Sequence, residues 1–150
     1  MTASQSALVM SEDREFMITR KNISPTGPDF SSMVYGTWRM LDGGFSTQDI
    51  NRRLHRCLEL GITTIDTAEI YGLYRVEAAL GQALALSPGL RAKLEIVSKA
   101  GIHIPNPLHP ERKVGYYDVS AARLAQSLDQ TLRLLGTDTW ISSSSIGPTG

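Results

Sequence analysis

Three times in this chain a short apolar run gives way to a stretch with helical spacing that closes on a glycine, and this alternation restricts the fold more than any other feature. The runs are Ser32 to Gly36, Ile62 to Asp66, and Leu94 to Lys99. After the first, Ile50, Leu54, Cys57 and Leu58 recur at i, i+4, i+7 and i+8 before Gly61. After the second, Val76, Leu80 and Leu84 form a stripe that Ser87-Pro88-Gly89 closes. After the third comes a helix that opens near Asp118 or Ser120, carries Leu124, Leu128, Leu132 and Leu135, and stops at Gly136. Apolar residues at that period mark one inward helix face, and a glycine past the last turn takes the left-handed conformation that ends it. All three stripes are expected to face the core. Ser46 with Asp49 three residues on reads as a helix start, with the carboxylate at the positive end of the dipole.

Strand and helix in alternation mean parallel βα units. A Rossmann-like sheet and a barrel both satisfy that order. The first strand-to-helix junction, however, has only Gly36 and the separate pair Gly43-Gly44 rather than G-x-G-x-x-G, which favours the barrel. A full barrel takes eight units and typically ~250 residues. The 150 residues here hold three units and a remnant of a fourth strand, so the expected class is α/β, the N-terminal half of a (β/α)8 barrel. In front of it, Phe16 to Ile23 (FMITRKNI) suits a short strand, and the turn residues Ser24 to Asp29 complete a β flap. Residues 1–14 have no sustained period and are expected to form a flexible tail ahead of a barrel portion spanning 15–138. Gly101 to Tyr117, with three prolines, two histidines and no period, is expected to be a functional or mobile loop.

Composition excludes several partners. Lys plus Arg and Asp plus Glu number 15 each and the pI is near 6.8, so no net field draws nucleic acid or an acidic membrane surface. No run approaches the ~18 apolar residues of a membrane span, and the N-terminus lacks the basic leader and apolar core of a signal peptide. Cys57, the single cysteine, has no intrachain partner and falls on a helix stripe, where it is expected to be core. The expectation is a soluble, cytoplasmic protein.

Asp66 ends the second run, Tyr71 follows five positions later, and Lys99 ends the third. The C-terminal ends of barrel strands are where such folds keep their chemistry. Taken singly, Asp66 suits a turn cap, Tyr71 a packed aromatic and Lys99 an exposed strand end. Taken together, GITTIDTAEIYG, VSKAG and the helix closing on RLLGTD resemble the aldo-keto reductase family over Phe16 to Asp138. That resemblance implies a β/α barrel that transfers hydride from NADPH to an aldehyde or ketone, using an Asp, a Tyr, a Lys and a His. Asp66, Tyr71 and Lys99 match the first three. A phenol ionises near ~10 and donates slowly unless its anion is stabilised. The resemblance therefore makes Tyr71 the proton donor, Lys99 the cation that favours its anion, and Asp66 the group that keeps Lys99 charged and oriented.

Gly36, Thr37 and Trp38 resemble the family's GTW segment. This implies that Gly36, Thr37 and Asp66 lie along the cofactor, and that Trp38 and Tyr71 line the substrate pocket. The competing reading is that Gly36 permits a tight strand exit and Trp38 simply packs. His55 falls on the charged side of its helix and His103 and His109 in the proline-bearing loop, so all three are expected to be solvated. Glu95 and Lys99 alternate onto one strand face, but no cluster has metal-ligand spacing.

The resemblance stops after RLLGTD. The family continues with an apolar strand of the type D-L-x-L-I-H-R-P-D, whereas this chain reads Thr139 to Gly150, TWISSSSIGPTG. Four hydroxyls in an apolar interior cost ~1 to 3 kcal/mol each if unpaired, so Ser142 to Ser145 are not expected to form a barrel strand. Residues 139–150 are instead expected to be an aberrant tail, either a natural variable or disordered terminus or, as the codons allow, the family strand translated one base out of frame. The TGG codon of Trp140 followed by the AT of Ile141 then yields an aspartate codon, TCN serine codons yield apolar N-T-C codons, and the missing histidine falls at the position of Ile146. The 150 residues alone are expected to be inactive, with a small-molecule carbonyl as the parent substrate. Their unclosed barrel edge is expected to promote self-association.

Overall fold

The flap forms where its turn residues place it. In the computed structural model, which describes residues 18–108, 110–111, 113–138 and 142–145, β1 (Arg20–Asn22) pairs antiparallel with β2 (Asp29–Ser31). Gly27 closes the turn by donating its amide to the Ser24 carbonyl at 3.1 Å. The paired part is shorter than the FMITRKNI run, because Ile18 and Thr19 precede the ladder; Phe16 and Met17 lie outside the described residues.

The βα units follow in chain order: β3 (Val34–Gly36), α1 (Thr47–Glu59), β4 (Thr64–Asp66), α2 (Val76–Ala85) and β5 (Glu95–Ala100). The chain continues through β6 (Ile102–His103), β7 (Tyr116–Tyr117), α3 (Ala121–Leu135) and β8 (Ser142–Ser145). One sheet has the order β3-β4-β5-β8 with every pair parallel. Its register puts Gly36, Asp66 and Val97 on one rung, so Lys99 stands two residues higher on β5. No closed barrel is made by four strands. The sheet is the parallel part-barrel expected from the alternation.

Each helix starts and stops where its local chemistry dictates. Ser46 caps α1 with a capping box, its hydroxyl accepting from the Asp49 amide and the Asp49 carboxylate accepting from the Ser46 amide. Gly61, at φ 80°, turns the chain out of α1. Ile50, Leu54, Cys57, Val76, Leu80 and Leu84 are all buried, against Ile65 and Ile96 of the sheet and Leu90, Leu94 and Leu135. Burying each such aliphatic side chain is worth roughly 1.5–3 kcal/mol. Cys57 is core as its stripe requires.

The third helix departs from expectation. Leu124, Leu128 and Leu132 are only half-buried, and the face turned fully inward carries Ser127, Thr131 and Leu135. Small residues are used there because α2 and α3 approach closely: a Cβ on Gly81 would coincide with the Leu134 carbonyl oxygen. The hydroxyls also have partners. Thr131 Oγ1 and Ser98 Oγ donate to the two carboxylate oxygens of buried Glu77 at 2.9 and 2.6 Å.

Burial holds the Glu77 carboxyl above its usual 4.5; the Ser98 and Thr131 hydrogen bonds oppose that shift and the charge of Glu69 adds to it. A carboxyl raised by folding takes up protons more readily folded than unfolded. Its contribution to stability is therefore present below about 4.5 and is lost as pH rises through the raised folded value. Glu77→Gln should remove that slope from a urea-midpoint-versus-pH series and raise the midpoint at neutral pH. An unchanged slope would mean that the pH dependence arises elsewhere.

The ends of the Gly101 to Tyr117 loop are tied together, Ile102 pairing with Tyr117 and His103 with Tyr116 in a small antiparallel ladder. One further expectation is corrected. The serine run is a strand after all, with Val97, Ser98, Lys99 and Ala100 opposite Ser142, Ser143, Ser144 and Ser145. A parallel ladder is built from backbone N–H and C=O groups, which serine supplies as well as leucine. The rest of 139–150, including Trp140 and Ile146, and the whole of 1–14, lie outside the described residues.

At the other end of the strands, the flap covers the sheet. Arg20 reaches Glu95 at 2.9 Å and Thr63 Oγ1 donates to the same carboxylate at 2.6 Å. Burial alone would raise the Glu95 carboxyl, but the bonds from Arg20, Thr63 and Thr64 and the Arg20 charge outweigh it and hold it below 4.5. That leaves the C-terminal strand ends as the open face.

Candidate active site

The exit of β4 is fixed from both sides. Thr37 donates its amide and its hydroxyl to the Asp66 carbonyl at 2.9 and 3.0 Å. On the other flank the Thr67 amide donates to the Val97 carbonyl at 2.8 Å and the Glu69 amide to the Lys99 carbonyl at 3.1 Å. The segment between Asp66 and Tyr71 therefore runs along β5 as an extension of the ladder, and Lys99 lies beside it.

The lysine gathers the site. Its Nζ pairs with Asp66 Oδ1, donates to the Thr67 carbonyl at 2.8 Å and lies 3.4 Å from Tyr71 Oη. An ammonium has three donors and no acceptor. Three acceptors surround it, so the phenol oxygen receives a hydrogen from Lys99 and its own O–H is left to point elsewhere. The side chains of Lys99 and Asp66 are 20% and 33% exposed, which leaves the group reachable from the open face.

Beyond Tyr71 the backbone turns left-handed for three residues, Gly72, Leu73 and Tyr74 at φ 57°, 56° and 67°. Non-glycine residues in that region cost on the order of 1–3 kcal/mol each and persist only where the surroundings hold them. Here the Tyr74 hydroxyl accepts from the Ile104 amide at 3.1 Å and donates to the Ile102 carbonyl at 3.4 Å. A cleft of about 460 Å³ opens beside this turn, walled by Trp38, Tyr71, Ile70, Leu73 and Ile104. Trp38 is 71% exposed and its ring centroid lies 6.5 Å from that of Tyr71, so it flanks the cleft rather than packing in the core.

Of the residues singled out from sequence, Asp66, Tyr71 and Lys99 are brought together and Trp38 joins them. Gly36 ends its strand on the Asp66 rung, and a Cβ there would meet nothing within 4 Å. Thr37 is fully buried with its hydroxyl committed to the Asp66 carbonyl. His55 is exposed, as its helix face requires, and touches Ser87 Oγ at 3.0 Å. His103 is not solvated: it is 4% exposed, stacks on Tyr116 at 4.4 Å, and accepts from Arg123 Nε at 3.0 Å. The pairing of β6 with β7 carries it inward. His109 lies outside the described residues. Among the described residues no three His, Cys, Asp or Glu side chains are placed to hold a metal ion.

Sequence reasoning missed Glu69 and Arg123. Glu69 is 8% exposed, and its carboxylate takes hydrogens from the Gly101 amide, Arg123 Nη2 and Ser127 Oγ at 3.1, 2.7 and 2.8 Å. The one available signal was a second acidic residue in the motif, three positions after Asp66, with an arginine and a serine four residues apart on the third helix.

The profile of the Aldo/keto reductase family matches residues 32–140, which include every one of these side chains. The chain belongs to the aldo/keto reductase family. Among its curated relatives, oxidoreductase YdhF of Escherichia coli is 42% identical over 122 residues, covering 81% of this chain and 40% of that protein. The 6-dehydroglucose reductase of Agrobacterium fabrum is 43% identical over 111 residues, 73% of this chain and 37% of that one. The chain thus spans about two fifths of the length of the curated relatives it matches.

Solved aldo-keto reductase structures agree in fold. The crystal structure of one from Pseudomonas aeruginosa aligns with a TM-score of 0.72 at 28% identity, over 87% of this chain and 47% of that one. The holo form of an enzyme from Bacillus halodurans gives 0.71 at 23% identity, over 88% and 41%. The open sheet is accordingly part of the family's barrel. None of the helices among the described residues is long and apolar enough to cross a membrane.

Proposed function

We propose that this chain carries the proton-donating side of an NADPH-dependent carbonyl reductase that works in the cytoplasm on small aldehydes or ketones. The observation that carries this reading is the convergence of Lys99 Nζ on Asp66, Thr67 and Tyr71 Oη at the open strand ends. The open space above Gly36 and the half-exposed Asp66 suit the nicotinamide end of the cofactor, with Thr37 acting through its hold on the Asp66 backbone. When bound, the cofactor supplies a hydride to the carbonyl carbon. Tyr71 donates its proton to the carbonyl oxygen as negative charge develops there, and Lys99 stabilises the phenolate left behind. Asp66 keeps Lys99 charged and aimed, while Trp38 and the apolar wall at Leu73 and Ile104 hold the substrate's body. A separation of 3.4 Å between Nζ and Oη is long for a hydrogen bond, as catalytic contacts often are before substrate binds.

These residues supply three of the four groups the chemistry uses, and by themselves they are proposed to lack turnover. A chimeric barrel tests the reading: residues 18–138 replace the matching segment of the E. coli relative, and cofactor consumption is followed with a simple aldehyde. Turnover supports it; a folded, cofactor-binding chimera without turnover overturns it. The serine strand is further proposed to be a frame-shifted barrel strand. Coding DNA that continues the barrel in the shifted frame past Thr139 supports that, and early stop codons in both frames overturn it.

A second reading rests on a different observation. Met33 and Val34 at one edge of the sheet are about half exposed, and the edges of β3 and β8 away from β4 and β5 have no strand beside them among the described residues. Such an edge is a template for pairing with another chain. The unaccompanied chain should therefore sediment as a discrete oligomer with one cooperative unfolding transition; a stable monomer across a hundredfold dilution would count against it.

A further inference from the structure

We infer that Glu69 is the positioning residue for the Tyr71 and Lys99 pair, fixing the distance between the phenol and the ammonium while its side chain bonds to neither. The inference rests on the reading of those two residues given above. Glu69 meets the end of β5 at two points that flank Ala100: its amide donates to the Lys99 carbonyl at 3.1 Å, and its carboxylate accepts from the Gly101 amide at 3.1 Å. Gly101 sits at φ 103°, a conformation side chains rarely adopt, and this glycine presents its amide to that carboxylate. The Lys99 Cα is thereby fastened to the segment that continues, two residues on, into Tyr71. The Tyr71 amide in turn donates to the Ala68 carbonyl at 3.1 Å, so little freedom remains between the fastening and the phenol.

The carboxylate is itself anchored. Arg123 Nη2 and Ser127 Oγ, one helical turn apart on α3, both reach Glu69 Oε2, and Arg123 Nε also donates to His103. A charge-assisted bond between an arginine and a carboxylate is short and directional. In this nearly buried place it keeps the Glu69 side chain in one orientation, with the second oxygen aimed at Gly101. The line of support therefore runs from α3 through Glu69 to the strand end that carries Lys99. A merely structural Glu69 would hold α3 to the sheet and leave the lysine–phenol contact indifferent to it.

Nuclear magnetic resonance on the chain itself separates the two. Three signals are read together: cross-relaxation between the Lys99 ε-methylene and the Tyr71 ring, exchange of the Gly101 amide, and the Ile65–Ile96 methyl contact across β4 and β5. In Glu69→Leu the lysine–tyrosine signal should fall at least fivefold and the Gly101 amide should exchange at least tenfold faster, with the Ile65–Ile96 contact kept. Glu69→Gln, which retains an acceptor for Gly101, should keep more than half of the lysine–tyrosine signal. If Glu69→Leu does not fold, Glu69→Asp decides: one methylene shorter, it cannot reach Arg123 and Gly101 together and should lose both signals. A full lysine–tyrosine signal in folded Glu69→Leu or Glu69→Asp overturns the role of Glu69 alone. Absence of that signal from the unsubstituted chain overturns both this inference and the reading of the site.

Discussion

Tyr71→Phe in the chimeric barrel is expected to lower the rate of aldehyde reduction by ~10²–10⁴-fold, the range for losing a positioned proton donor. The substitution removes one oxygen and keeps the ring that faces Trp38 at 6.5 Å, so the cleft retains its wall. Cofactor affinity should stay within about twofold if, as proposed, Tyr71 faces the substrate rather than the cofactor. The loss should appear in kcat and in kcat/KM alike, the pattern of an interaction made only in the transition state. Steady-state kinetics with one aldehyde, together with cofactor titration, check both parts. A Tyr71→Phe chimera that keeps its kcat would remove the phenol from the mechanism.

The second large effect concerns the scaffold. Gly81→Ala should cost about 1–3 kcal/mol, the usual penalty of overpacking, even though alanine is about 1 kcal/mol better than glycine within a helix. The added methyl would coincide with the backbone oxygen of Leu134, which has no side-chain rotation to give way by. α2 must then move away from α3, and the contact of Glu77 with Thr131 crosses that same interface. For a domain of ordinary total stability, about 5–15 kcal/mol, the shift is a large share. A lower urea midpoint at constant m-value confirms it. A raised midpoint would show that helix propensity wins and that the two helices pack less tightly than described.

Much of the fold was legible because periodicity and caps are local signals. The spacing of Ile50, Leu54 and Cys57, the Ser46 and Asp49 box, and the stops at Gly61 and Gly136 each depend on a few neighbours, and each is found in place. The site was legible for a different reason: Asp66 and Lys99 end adjacent parallel strands, so a register of one sheet suffices to bring them together. What escaped was set by partners distant in sequence. Ser127 and Thr131 look like poor core residues until Glu69 and Glu77 supply their acceptors. His103 looks solvated until Tyr116, thirteen residues away, pairs with it and covers its ring. The serine strand escaped because side-chain hydrophobicity was weighed where the backbone ladder decides.

The order of strands across the sheet is also their order along the chain. Among the described residues each strand of this sheet therefore finds its neighbour after closing a loop of one βα unit. Loop-closure entropy grows slowly with length, so these steps are of nearly equal difficulty. Partners a whole βα unit apart are still non-local contacts, and parallel pairing of that kind forms slowly, but such units can dock one after another as they leave the ribosome, during synthesis at about 5–20 residues per second. Added in chain order, each strand would dock on the edge left by the one before it.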